Sequence, residues 1–221
     1  MSLLISIEGL DGVGKSTLAS ELVNKLSTDN EIAPWVYLSK EPGSKWTGIG
    51  PEIRKMVLET PEFKPIEREL LFYVDASIHA RFVDNQRDAL IVSDRGLWSH
   101  LAYLRGYLKT KQIDHEDYSL CRKLIDRACR KPDAVIYLRG DLALMEARLA
   151  GKEKDVIEQN GKAFYEAVFE TYEDLSNNAC LPLLTLDATA SIGQNIIKVV
   201  SWLKNEAFTR EELKQGNREV C

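Results

Sequence analysis

The stretch GLDGVGKST, Gly9 to Thr17, sets two glycines ahead of a lysine and a hydroxyl, with four residues between Gly9 and Gly14 and then Lys15 and Ser16. A run of this kind holds phosphate. Its glycines let successive backbone N–H groups turn inward around phosphate oxygens, and a helix starting at that point aims its positive end at the same anion. Lys15 would reach the β and γ phosphates of a nucleoside triphosphate, and the Ser16 hydroxyl would coordinate Mg²⁺. Gly9, Leu10, Asp11, Gly12, Val13, Gly14, Lys15, Ser16 and Thr17 together form the expected ATP-binding loop. A second polar cluster, SDRGLWSHLAYLRG from Ser93 to Gly106, offers Asp94 as a water-mediated Mg²⁺ ligand and Arg95 as a planar clamp for a second phosphate. The same Asp and Arg also fit an internal ion pair that caps the next helix.

Short β-rich runs alternate with longer helical segments and must position these groups. The runs are LLISIE (3–8), WVYLS (35–39), ALIVSD (89–94), AVIYLR (134–139) and LPLLTLD (181–187). Helices are predicted near 15–28, 49–59, 66–87, 97–109, 114–130, 141–150, 158–177 and 190–205. Nearly continuous apolar strands alternating with helices imply a five-stranded parallel sheet with helices on both faces, a three-layer α/β P-loop arrangement. GLDGVGKST then follows a buried strand and opens a helix, and Asp94 and Arg95 end another strand beside the same crevice. In ERELLFYVDASIHARFVDNQR, Leu70, Leu71, Val74, Ile78 and Phe82 form an apolar stripe predicted to pack on the core. Phe72, Ala76, His79 and Val83 fall on the other face, which either lines a ligand cavity or packs on another helix or subunit. His79 by itself reads as a surface or interface histidine.

Composition sets the outer limits. The 221 residues, 44% of them hydrophobic, suffice for one sizeable core, and one domain over 1–207 with a polar tail at 208–221 is expected. A net charge of -5 argues against a surface that grips nucleic acid polymers. The opening MSLLISIEGL has no basic leader, and its apolar run stops at Glu8, so a cytoplasmic protein without membrane attachment is expected. Cys121, Cys129, Cys180 and Cys221 form no CxxC pair or metal-ligand spacing and read as reduced structural thiols.

GLDGVGKST, KEPGS, LLFYVDASIH, SDRGLWSHLAY and DVIEQNGKAFYEAV occur in the order and approximate spacing of the thymidylate kinase family, which the sequence resembles up to about Leu203. The resemblance implies transfer of the ATP γ-phosphate to thymidine monophosphate or a related deoxynucleoside monophosphate, with Mg²⁺, in a homodimer. It also implies residue roles. Asp11 would stand near the acceptor's sugar and the transferring phosphate, Arg54 and Arg95 would hold the acceptor phosphate, and Phe72 would stack on the base. Tyr103 would lie beside the deoxyribose, while Glu41, Pro42 and Gly43 match the loop that runs past the base.

Several positions depart from the family pattern. Ala76 stands where an Arg usually bonds the thymine carbonyl, Gly96 where a Tyr or His commonly follows the Asp-Arg pair, and His100 and Leu104 where small or amide side chains are frequent. His100 or His79 would be a replacement donor, and Ala76 and Gly96 would make room for a 5-modified pyrimidine. RLAGKEKDVIEQNGK aligns with the lid, about 148–160. Relatives with Gly at the position of Gly12 usually carry a lid arginine where Val156 stands here. Lys152 and Lys154 are the nearest catalytic substitutes, with Arg148 at the lid's base, although the same residues also fit an ordinary solvated charge run. Two other readings stay open: a deoxynucleoside kinase of the same fold, and a degenerate nucleotide-binding protein with a regulatory role.

Overall fold

The computed structural model describes residues 2–28 and 35–205; the tail at 208–221 and Cys221 lie outside the described residues. The order of elements is β1 (Leu3–Glu8), α1 (Lys15–Leu26), β2 (Trp35–Lys40), a 3₁₀ turn (Lys45–Thr47), α2 (Gly50–Glu59), α3 (Pro65–Asn85), β3 (Ala89–Asp94), α4 (Leu97–Lys109), α5 (His115–Ala128), β4 (Ala134–Arg139), α6 (Leu142–Leu149), α7 (Lys162–Asn177), β5 (Leu183–Asp187) and α8 (Ile192–Asn205). Every predicted strand and helix is present. The expected start of α7 at 158 moves to Lys162, because the Asp155 carboxylate accepts the backbone N–H groups of Ile157 and Glu158 and holds 155–160 in turns. No helix among the described residues is long and apolar enough to cross a membrane.

The five strands are parallel, in the order β2-β3-β1-β4-β5. The chain builds β2 and β3 on one side of β1 and then crosses to β4 on the other. The loop after β1 therefore opens into the crevice at this switch of direction, where ligands bind in open α/β sheets. Register fixes what faces it across the sheet: Ile7 pairs with Asp94, and the Arg95 N–H donates to the Ile7 carbonyl at 3.0 Å. Ile5, Ile7, Val92, Val135 and Ile136 are fully buried, and Leu18, Leu22 and Leu26 of α1 seal against this core at helical spacing.

The expected orientation of α3 is overturned. Two members of its aliphatic stripe face outward, with Leu70 45% and Val74 41% exposed, while Leu71 and Phe82 only border small core clusters; Arg68, Glu69, Phe72, Asp75, Ala76, His79 and Val83 are the buried residues. The cause is polar. Arg68 donates to the carbonyls of Val57, Thr60 and Phe63, and Asp75 accepts the Gly43 N–H at 2.9 Å. His79 is enclosed between Ser39 and Glu41, so it is neither a surface nor an interface group. These bonds are formed only with the polar face turned inward, and a count of apolar side chains does not register them.

Candidate active site

Gly9 leaves β1 with φ +142°, and a side chain there would place its Cβ 2.4 Å from the Leu138 carbonyl oxygen. Only glycine allows β1 and β4 to converge at the mouth of the loop. Gly14, in the left-handed region at φ 107°, turns the chain into α1. Lys15 and Ser16 then sit in its first turn, where free backbone N–H groups gather. The Lys15 ammonium is buried and donates to the Leu10 carbonyl. Burial, aided by the nearby Arg95 charge, pushes its pKa down to about 7. The Ser16 hydroxyl donates to Asp94 Oδ2 at 2.5 Å, and Lys40 Nζ stands 3.5 Å from the same oxygen. Burial works against the Asp94 carboxylate, but Lys15 and this hydroxyl hold its pKa below the ordinary range. A hydroxyl and an ionised carboxylate at hydrogen-bond distance are hard oxygen donors of the kind Mg²⁺ takes. Arg148, from α6, ties the loop down by donating to the Val13 carbonyl at 2.5 Å and to the Ala188 carbonyl at 2.9 Å.

A cleft beside this loop gathers most of the remaining expected residues: Asp11, Glu41, Pro42, Arg54, Phe72, Arg95, His100 and Tyr103 all line it. At one end the Arg95 guanidinium pairs with Asp11 and donates to Tyr103 and Ser99 at 3.1 and 3.0 Å. Tyr103 and Tyr165 both donate to Asp11 Oδ2, at 2.5 and 3.2 Å. Burial opposes the charge on Asp11, yet Arg95 and Lys15 hold its carboxyl below the usual range. Arg54 reaches the cleft from α2 and donates to the Pro42 carbonyl at 3.0 Å. At the other end the Phe72 and His100 rings meet edge to face at 5.9 Å. Glu41 is fully engaged there, with His79 Nδ1 2.5 Å from Oε1 and His100 Nε2 3.3 Å from Oε2. Its burial is outweighed by the two imidazoles, which hold its pKa at about 2.

Such a constellation brings a phosphate loop, a cationic clamp and an aromatic wall into one crevice. The family profile described as Thymidylate kinase matches residues 7–198. The chain belongs to the thymidylate kinase family. A thymidylate kinase of Francisella philomiragia is 34% identical over 203 residues, covering 87% of this chain and 93% of the relative. One of Campylobacter lari is 32% identical over 196 residues, covering 85% and 92%. Among solved structures, a deoxyadenosine kinase from M. mycoides with dCMP and dCDP bound superposes with a TM-score of 0.71 at 20% identity, over 92% of this chain and all of that one. This last likeness concerns the fold.

In this thymidylate kinase family member some expected site residues fall elsewhere. Ala76, one helical turn on from Phe72, is buried and is not among the residues that line the cleft. Gly96 does line it, but a Cβ there would point at Ser6 and Glu8 of β1, 3.2 and 3.4 Å away. Its smallness thus serves the packing of α4 on the sheet. Lys152 and Lys154 are exposed and line a separate cavity beside α6 and α7, whereas farther along the lid Val156 N donates to the Leu58 carbonyl and Asp155 and Ile157 close one wall of the cleft. Cys121, Cys129 and Cys180 are free thiols, as expected. Cys129, however, lies beside His100, and with Glu41 their ligand atoms lie within 4.8 Å of one another. Because both Glu41 oxygens are bonded to histidines, the group is a closed charge cluster.

Sequence reasoning missed Glu8, Glu69, Ser99 and Tyr165. Glu8 accepts from Ser99 Oγ at 2.5 Å and Trp98 N at 3.2 Å, and burial lifts its carboxyl to about 7. A glutamate ending an apolar strand directly before Gly9 was the available signal for it. Glu69 and Tyr165 carry no such signal, since each is one polar group within a helical repeat.

Proposed function

We propose that this thymidylate kinase family member transfers the γ-phosphate of ATP to dTMP or a related deoxypyrimidine monophosphate, 5-modified ones included. The observation that carries the reading is the meeting of Asp11, Arg54, Arg95 and Phe72 in one cleft at the mouth of the phosphate loop. The loop from Gly9 to Thr17, with Arg148 behind it, holds ATP. Arg95 and Arg54 hold the acceptor phosphate, Tyr103 packs beside its sugar, and Phe72 stacks on its base, with Glu41, Pro42 and His100 around the base end. An acceptor phosphate oxygen attacks the γ phosphorus, the bond from that phosphorus to the bridging oxygen breaks, and ADP leaves. Lys15 follows the charge on the migrating phosphoryl group, and Asp11 keeps Arg95 oriented toward the acceptor. Ser16 and Asp94 would hold Mg²⁺, which neutralises phosphate charge when bound. Lys152 and Lys154 supply lid cations, and the exposed Leu70 and Val74 of α3 support a homodimer through that helix.

An acceptor panel with MgATP tests the reading. ADP release should depend on dTMP, dUMP or a 5-modified deoxyuridylate, and the corresponding free nucleosides should be inert. Faster turnover of thymidine than of dTMP would establish a nucleoside kinase instead, and no acceptor-dependent ADP release would establish a regulatory nucleotide binder.

A further inference from the structure

At the base end of the cleft, nearly every polar side chain already has a partner. The two Glu41 oxygens are taken by His79 and His100, Cys129 lies beside His100, and Ser99 serves Glu8. Glu69 is the exception. It rises from the second turn of α3 into the same wall as Phe72, is only 4% exposed, and makes no hydrogen bond to any described residue. A buried carboxyl without a partner is rare in a folded protein and calls for an absent one. Ala76, at the position of the family's base-reading arginine, carries no polar group, so among the described residues of this wall Glu69 is the unpartnered polar side chain that the edge of a base stacked on Phe72 would meet.

We propose that Glu69 reads the polar edge of the acceptor's base and is the residue that selects a pyrimidine carrying a C4 carbonyl beside an N3–H. This rests on the acceptor reading of the cleft given above. A protonated carboxyl offers an O–H donor and a carbonyl acceptor side by side, the complement of that edge, so two hydrogen bonds form from one side chain. The protein keeps the proton available: burial lifts Glu69 to about 7, with only His100 opposing. The titratable groups facing it are His100 and Tyr107 of α4, Cys121 of α5 and Cys129 at the end of α5. The thiols and phenol are all raised by burial and remain uncharged near neutrality. Ionised Glu69 would turn a negative oxygen toward the C4 carbonyl. Acceptor binding therefore weakens as pH rises through about 7.

Steady-state kinetics with dTMP and N3-methyl-dTMP across neutral pH test this on the full chain. For the wild type, KM for dTMP should rise about tenfold from acid to alkaline conditions, the effect of one uncharged hydrogen bond. Glu69→Gln keeps a donor and an acceptor but cannot titrate, so its KM should hold flat within about twofold. Glu69→Leu should raise KM for dTMP about tenfold or more and erase the preference over N3-methyl-dTMP, with kcat changed far less. A Glu69→Gln profile that rises with pH as the wild type does overturns the proposal, as does a folded Glu69→Leu with unaltered KM. If Glu69→Leu does not fold, the Glu69→Gln profile and the wild-type discrimination against the N3-methyl analogue decide alone. Wild-type failure to phosphorylate any deoxynucleoside monophosphate removes the acceptor reading itself, whereas turnover with unchanged KM in the variants removes only the role of Glu69.

Discussion

Arg95, one residue past β3, pairs with Asp11 inside the phosphate loop, and the Tyr103 hydroxyl bridges them by donating to Asp11 and accepting from Arg95. Arg95 holds φ 78°, a left-handed value uncommon for a side chain of its size, and its N–H is fixed on Ile7. The clamp is thus locked to β1, the strand that carries the loop. Arg95→Met should lower kcat/KM for the acceptor at least about 100-fold, the scale seen when one preorganised charge-stabilising donor is removed. ADP-release kinetics against acceptor concentration give the measurement, with a thermal melt to show that the fold survives.

Gly9→Ala should be the most damaging single-methyl change in the loop. Its φ of +142° disfavours any side chain, and the new Cβ would lie 2.4 Å from the Leu138 oxygen. Backbone strain alone costs about 1–3 kcal/mol. A melting temperature several degrees below wild type and a raised KM for ATP are expected, with KM for the acceptor less affected.

The His79–Glu41–His100 cluster gives stability a pH optimum. Burial opposes the charge on Glu41, but the histidines hold its pKa at about 2 against an ordinary 4.5, so its contribution is present above 4.5 and is lost as pH falls toward 2. Both histidines are raised above 6.5 despite burial, so theirs is complete below 6.5 and is lost as pH rises through their folded values. Glu41→Gln should therefore destabilise most between these limits, by about 3 kcal/mol for a broken buried pair. Urea denaturation of both proteins in the acid, mid-range and alkaline regimes should show the gap shrinking on either side.

Lys152→Ala and Lys154→Ala combined should lower kcat about tenfold while leaving KM for the acceptor near wild type, since a lid cation acts on the charge of the transferring group. Single-turnover rates with saturating ATP check it. Unchanged rates would leave Lys15, Arg95 and Arg148 as the cations of the reaction.

Leu70→Glu with Val74→Glu should yield a monomer. Both side chains lie on the exposed stripe of α3, where burying them against a second copy would offset their contact with water and a charge would prevent it. Sedimentation equilibrium of the wild type and the double variant provides the comparison.

The five strands and eight helices of the described residues and the phosphate loop were legible because each rests on local periodicity or on a short motif whose mechanism is contained in its own residues. Lys15, Ser16, Asp94 and Arg95 were legible for the same reason: a strand end in a parallel sheet has one possible side of approach to ligand. The inner face of α3 was not. Leu70, Leu71, Val74, Ile78 and Phe82 make the stronger apolar pattern, but Glu41, Gly43 and the carbonyls at and after the end of α2 are the partners that turn His79, Asp75 and Arg68 inward. Those partners lie outside α3, from the segment just ahead of it to the loop after β2, so the periodicity within the helix does not register them.

By itself, then, the sequence determined a parallel α/β sheet, a phosphate-holding loop after its first strand and the family to which both belong, since these depend on spacing over a few residues. Tertiary structure alone decided that Arg68, Asp75 and His79 of α3 turn inward, that both Glu41 oxygens are occupied and that Glu69 lines the cleft without a hydrogen-bond partner among the described residues. The physical reason is that whether a polar group is satisfied depends on every segment packed around it, and only the folded chain brings those segments together.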